Sequence, residues 1–179
     1  MHVKTYFTAT DIAFTSLFSV MWAILNLVLG PLGFALFGLP VLCDFAVFFT
    51  LLLTTWTVSK FGVASLVGII GSTLTLLARG QPVAIGFGAS ALVFDVLMLA
   101  SRHKLNPKPV HIAAATAATV ASAYFAGVVI GIFFMSGTLQ WALTFWGPWH
   151  LVGGAIGAAT AFPVIILLEK TGVRNIKNA

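Results

Sequence analysis

Charge is what this 179-residue chain has least of: 7% of its residues are charged, and only four are acidic. Soluble domains run near a quarter charged, so the composition excludes a water-facing surface of the usual kind. Cys43 is the single cysteine, which excludes an internal disulfide and a cysteine-built metal site. No set of His, Asp and Glu falls at metal-ligand spacing, so neither a metal nor a cofactor is expected. The chain also lacks a Walker-type glycine loop, a Gly-x-Ser-x-Gly elbow and a His-Glu-x-x-His pair. Asp44 and Asp95 fall near opposite ends of their helices, about 25 Å apart by the rise per residue, too far for a paired-acid dyad. These absences together argue against an enzyme.

What is present is apolar sequence: 60% hydrophobic residues and a mean hydropathy of +1.08. It falls into six blocks, at about residues 10–29, 41–58, 63–78, 83–100, 110–135 and 149–168. The blocks are continuously apolar, without the alternation of a membrane barrel, so helices are expected. Lys4, Lys60, Arg102, Lys104, Lys108, Lys170, Arg174 and Lys177 occupy every second gap, and Arg79 alone occupies the gaps between them. Cytoplasmic loops retain Lys and Arg, so both termini are expected in the cytoplasm. The resulting expectation is an all-α integral membrane protein of the plasma membrane: one domain, a compact six-transmembrane-helix bundle. The net charge of +5 follows from this inner-side bias rather than from nucleic-acid binding. The first block contains Asp11, and no small-x-small cleavage site follows it, so it reads as a retained span rather than a signal peptide.

Within this frame, Gly30-Pro31 is expected to end the first helix, and residues 32–40 to form an apolar outer loop. A second outer loop is expected over residues 136–148. Asp44 and Asp95 lie inside spans, where an ionisable group marks a functional or paired position. Asp44 either pairs with Arg79 at the outer end or meets a ligand; Asp95 is expected to pair with Arg102. Trp22, Trp141, Trp146 and Trp149 gather on the outer half, with Asn26, Gln81, Gln140 and His150 as polar anchors. Aromatic walls with a few polar groups are the make-up of a small-molecule pocket, although Trp is also enriched at any membrane interface. Small residues at four-residue spacing, Ala9/Ala13, Ser19/Ala23, Gly127/Gly131 and Gly153/Gly157, let helices approach closely. For Ala9 and Ala13 the partner is either this bundle or another membrane subunit.

Three passages carry a family resemblance. Ala9-Thr10-Asp11-Ile12-Ala13 is similar to the small-residue face with which the substrate-binding S components of energy-coupling factor (ECF) vitamin transporters dock on their coupling subunit. Val58-Ser59-Lys60-Phe61-Gly62-Val63-Ala64-Ser65-Leu66-Val67-Gly68 resembles that family's basic-x-Gly turn into a small-residue helix. Leu76-Leu77-Ala78-Arg79-Gly80-Gln81-Pro82 resembles the end that follows. The order of elements is most similar to the subgroup linked to thiamine and its hydroxymethylpyrimidine precursor. The resemblance implies a chain that captures a vitamin from outside under a lid at about residues 30–39. It then passes the vitamin inward with a transmembrane coupling subunit and ATPase subunits in other chains. The competing readings are a small accessory subunit of a larger membrane complex and, less well supported by the sparsely polar span centres, a channel or carrier.

Overall fold

The protein, described here by a computed structural model over residues 6–172, is an all-α bundle. Lys4, Arg174, Lys177 and His2 lie outside the described residues. The helices are α1 (Ala9–Phe37), α2 (Val41–Thr57), α3 (Val63–Arg79), α4 (Val83–Leu97, continued by a 3₁₀ turn over Met98–Ser101), α5 (Pro109–Phe133) and α6 (Leu139–Lys170). Four of them, α1, α4 with its 3₁₀ turn, α5 and α6, are long and apolar enough to cross a membrane. α2 and α3 have 17 residues each, about 26 Å at the rise of an α-helix.

Two boundaries differ from the sequence expectation. α1 does not stop at Gly30-Pro31; it runs on to Phe37 and ends at Gly38, whose φ of 65° is the left-handed conformation that closes a helix. Pro31 removes one backbone donor but is not a stop here, because Gly30 and Gly33 are buried and Gly33 lies against Leu42 of α2. Their lack of side chains lets this last stretch pack on α2. The expected nine-residue loop is thereby reduced to the turn around Gly38, Leu39 and Pro40. α6 likewise begins at Leu139 rather than near Trp149. A π-helical turn over Ala142–Trp146 carries the chain into Gly147-Pro148, with the Gly147 N–H donating to the Ala142 carbonyl five residues back. Such widening relieves the clash that Pro148 would otherwise make with the preceding turn, so the helix absorbs most of the expected 136–148 loop.

The helices form a closed ring of neighbours in the order α1, α3, α4, α5, α6, α2. α2 is buried along most of its length, from Cys43 to Trp56, and Val47, Phe48, Leu51 and Leu52 form the centre of the core. Glycines set the close approaches. A Cβ on Gly153 would come within 2.6 Å of the Val41 carbonyl, and one on Gly68 within 2.1 Å of the Ala91 Cβ. Gly127, Gly131, Gly153 and Gly157 all face other helices of this bundle, as do the buried Ser19 and Ala23. Ala9 and Ala13 point outward instead. Gly68→Val is therefore expected to destabilise the bundle by about 1–3 kcal/mol through overpacking of α3 on α4. A lowered thermal unfolding midpoint would register it, and an unchanged midpoint would contradict this packing.

The bundle has two unlike ends. One carries the start of α1, the α2–α3 turn, the α4–α5 connection and the end of α6, and with them Lys60, Arg102, Lys104, Lys108 and Lys170. At this basic end Thr8 and Asp11 form a reciprocal capping box on α1, and the Asp11 carboxylate also accepts from Lys60 Nζ at 2.5 Å. That contact ties α1 to the α2–α3 turn. The other end carries the α1–α2, α3–α4 and α5–α6 connections and holds Trp141, Trp146 and Trp149, with Arg79 as its one Lys or Arg among the described residues.

Candidate functional site at the aromatic end

A cavity of about 390 Å³ opens among α1, α2, α3, α4, α5 and α6 at the aromatic end. That volume is within the usual range for small-molecule sites. Its walls are mostly apolar: Pro31 and Phe34 of α1, Phe87 of α4, Ile130 of α5, Met135 and Trp146. Trp146 is held in a stack. Trp141 lies against it at 5.3 Å with nearly parallel rings, and Phe34 stacks at 6.5 Å. The π-helical turn ends on Trp146. Such a turn shifts side-chain directions relative to a regular helix and is frequent at functional sites.

The polar groups of the wall are Asn26, Thr75, Arg79, Gln81 and His150. Thr75 spends its hydroxyl on the Gly71 carbonyl, 2.8 Å away, which α-helical Thr side chains commonly do. Asn26 donates to the Trp22 carbonyl at 3.4 Å. His150 is the most constrained of the set. Its ring is 1% exposed, and Nδ1 lies 3.0 Å from Asp44 Oδ1 and 2.9 Å from Oδ2. Phe87 and Trp146 flank the ring at 5.7 and 5.6 Å. The carboxylate makes Nδ1 the nitrogen that faces α2, and leaves Nε2 as the ring's remaining polar atom. Nε2 is buried without a hydrogen-bond partner, and so is Trp146 Nε1. Buried polar atoms are nearly always paired; these two sit inside the packing behind the wall that their residues help to form.

The structure brings together Asn26, Arg79, Gln81, Trp146 and His150 of the residues singled out by sequence, and sorts the others away. Asp44 is fully buried and does not line the cavity; its partner is His150, not Arg79. The pairing expected from shared depth fails because α6 packs directly on α2, where Gly153 lets its backbone meet Val41 and Asp44. Trp22 packs against Gly71 of α3, outside the cavity. Trp141 backs the wall through Trp146 without forming it, and Gln140 and Trp149 are not in the lining. The extended α6 fixes this arrangement: the π-helical turn stacks Trp141 on Trp146, and of the three tryptophans only Trp146 lines the cavity. Phe34 and Phe87 are wall residues that the sequence did not single out. Phe34 sat in an expected loop, and nothing distinguishes Phe87 from the other apolar residues of α4.

Asp95, the second acid inside an expected span, is a structural group. Its Oδ2 accepts from the Gly62 N–H at 2.9 Å, the Ser65 N–H at 3.1 Å and the Ser65 hydroxyl at 2.6 Å, while Oδ1 lies 2.8 Å from His103 Nε2. It thus caps the start of α3 from a neighbouring helix, replacing the side-chain cap that Gly62 cannot supply. The expected Arg102 partner is exposed, with a left-handed backbone that turns the chain so His103 folds back onto Asp95. No cluster of His, Cys, Asp and Glu able to hold a metal occurs among the described residues.

The fold and cavity define a helical, apolar chain of membrane type with one small-molecule-sized site at its aromatic end. No family model, curated protein or solved structure matches the chain.

Proposed function

We propose that this chain is a six-span membrane subunit with cytoplasmic termini that captures a small, flat, vitamin-like molecule from outside the cell. Partner chains, a transmembrane coupling subunit and ATPases, would drive its uptake. The observation that carries the reading is the cavity, with Phe34, Phe87 and Trp146 as aromatic wall and Asn26, Arg79 and Gln81 as polar groups, at the end opposite the basic loops. By the bias of Lys and Arg toward the cytoplasm, that end faces outward. The six-span reading takes the two 17-residue helices, about 26 Å each, as short spans beside the four longer ones. The outward-facing Ala9 and Ala13 leave a small-residue surface on α1 for the coupling subunit. Sequence resemblance to the thiamine and hydroxymethylpyrimidine subgroup of ECF S components supports a heterocyclic ligand. With Asp44 behind His150, however, no carboxylate stands at the wall to meet a cation.

The test is a thermal-shift screen of the detergent-purified protein against water-soluble vitamins and their heterocyclic precursors. At least one is expected to raise the unfolding midpoint. Val83→Trp, which puts a bulky ring at the cavity wall, is expected to abolish that rise while leaving the ligand-free protein folded. A rise that survives Val83→Trp would place the site elsewhere.

A further inference from the structure

The sign of the cavity's charge narrows its ligand. Arg79 is the only formally charged residue in the lining, and no Asp or Glu lines it. Arg79 is the last residue of α3, and among the described residues no carboxylate or carbonyl forms an ion pair or hydrogen bond with its guanidinium. A guanidinium carries five N–H donors in a planar fork suited to an oxyanion.

The second source of positive potential is α4. Its first residues, Val83 and Ala84, line the cavity together with Pro82 just before them. The first turn of α4 contains no acidic residue, and its N-cap, Pro82, makes no side-chain cap. The Ala84 and Ile85 N–H groups already donate to the Gln81 and Pro82 carbonyls, so the contribution of this helix start is its dipole, which favours negative charge. The one acid nearby, Asp44, is turned to His150 Nδ1 behind the wall.

From this arrangement we infer that the molecule bound in the cavity is a flat heteroaromatic anion, its ring against Trp146 and Phe34 and its carboxylate or phosphate oxygens on Arg79 near the start of α4. Ring faces supply the apolar contact, and the guanidinium supplies a charge-assisted pair. A permanent cation such as thiamine would put its charge against Arg79 and is rejected on this account. The inference rests on the small-molecule-binding function proposed above.

The experiment uses one ring in three charge states: pyridine-3-carboxylate, pyridine-3-carboxamide and N-methylpyridinium-3-carboxamide. The vitamin panel, sorted by net charge and including thiamine, is measured beside it. Each compound is titrated against the full-length protein in nanodiscs by thermal shift. Compounds that bind are expected to be anions, the carboxylate about 10- to 100-fold tighter than its carboxamide and the cations without effect. Arg79→Gln is expected to erase that preference, and Arg79→Lys to restore part of it. If the tightest binders are neutral or cationic, or if Arg79→Gln leaves the anion preference intact, the inference fails while the binding function stands. If no compound of any charge binds, both fail.

Discussion

His150→Leu is expected to destabilise the protein by about 3–5 kcal/mol, because it strands the Asp44 carboxylate in the core. Asp44 is fully buried and its only side-chain partner is His150 Nδ1. Asp44→Leu alone should cost less, about 1–3 kcal/mol, since what remains is an unpaired neutral ring nitrogen rather than a charge. The double substitution should recover much of the loss, because apolar residues of similar size replace a buried ion pair at little or no cost. A double-mutant cycle read by thermal unfolding in detergent tests this. Additive penalties would mean that the two side chains do not act as a pair. The double variant should also bind its ligand more weakly, since the His150 ring is part of the cavity lining.

Asp95→Leu is expected to be equally damaging at the opposite end. One carboxylate accepts from two backbone N–H groups at the start of α3 and from Ser65 and His103. Its removal leaves several buried donors unsatisfied, at about 3–5 kcal/mol in total. Asp95→Asn, which keeps one acceptor oxygen, should lose roughly half as much by the same count. The readout specific to this role is hydrogen exchange at the Gly62 and Ser65 amides. Faster exchange there, with exchange at the centre of α2 less affected, would show the cap at work. Uniform loss across the bundle would show that Asp95 serves general packing instead.

The helical class of the fold was legible because the bundle is built from apolar blocks, and block length is a property of sequence alone. The ends of α1 and α6 were not. Gly30-Pro31 read as a stop, since it removes a backbone donor and adds flexibility, and residues 136–148 read as a loop with the last helix starting after Pro148. In the bundle, burial of Gly30 and Gly33 and a π-helical turn before Pro148 outweigh that local preference. Helix neighbours were illegible for a different reason. The helices are apolar around much of their circumference, so no polar stripe says which face meets which partner. The two acids inside spans were therefore found by type, but their partners were not. Asp44 meets a residue 106 positions away, and Asp95 meets His103 across a left-handed turn. The candidate site was half legible. Asn26, Arg79, Gln81, Trp146 and His150 were identifiable as polar or aromatic residues near one end. Phe34 and Phe87 had no distinguishing chemistry, and nothing in the sequence tells Trp146, which lines the cavity, from Trp149, which does not.

The central claim, that the aromatic-end cavity holds a small molecule, is tested most directly by mass spectrometry of what the gently purified protein releases on denaturation. The account predicts a stoichiometric flat heteroaromatic anion, absent from the Val83→Trp variant prepared in parallel. A protein that releases nothing, and that always co-purifies with one fixed membrane partner, would contradict it and favour an accessory subunit.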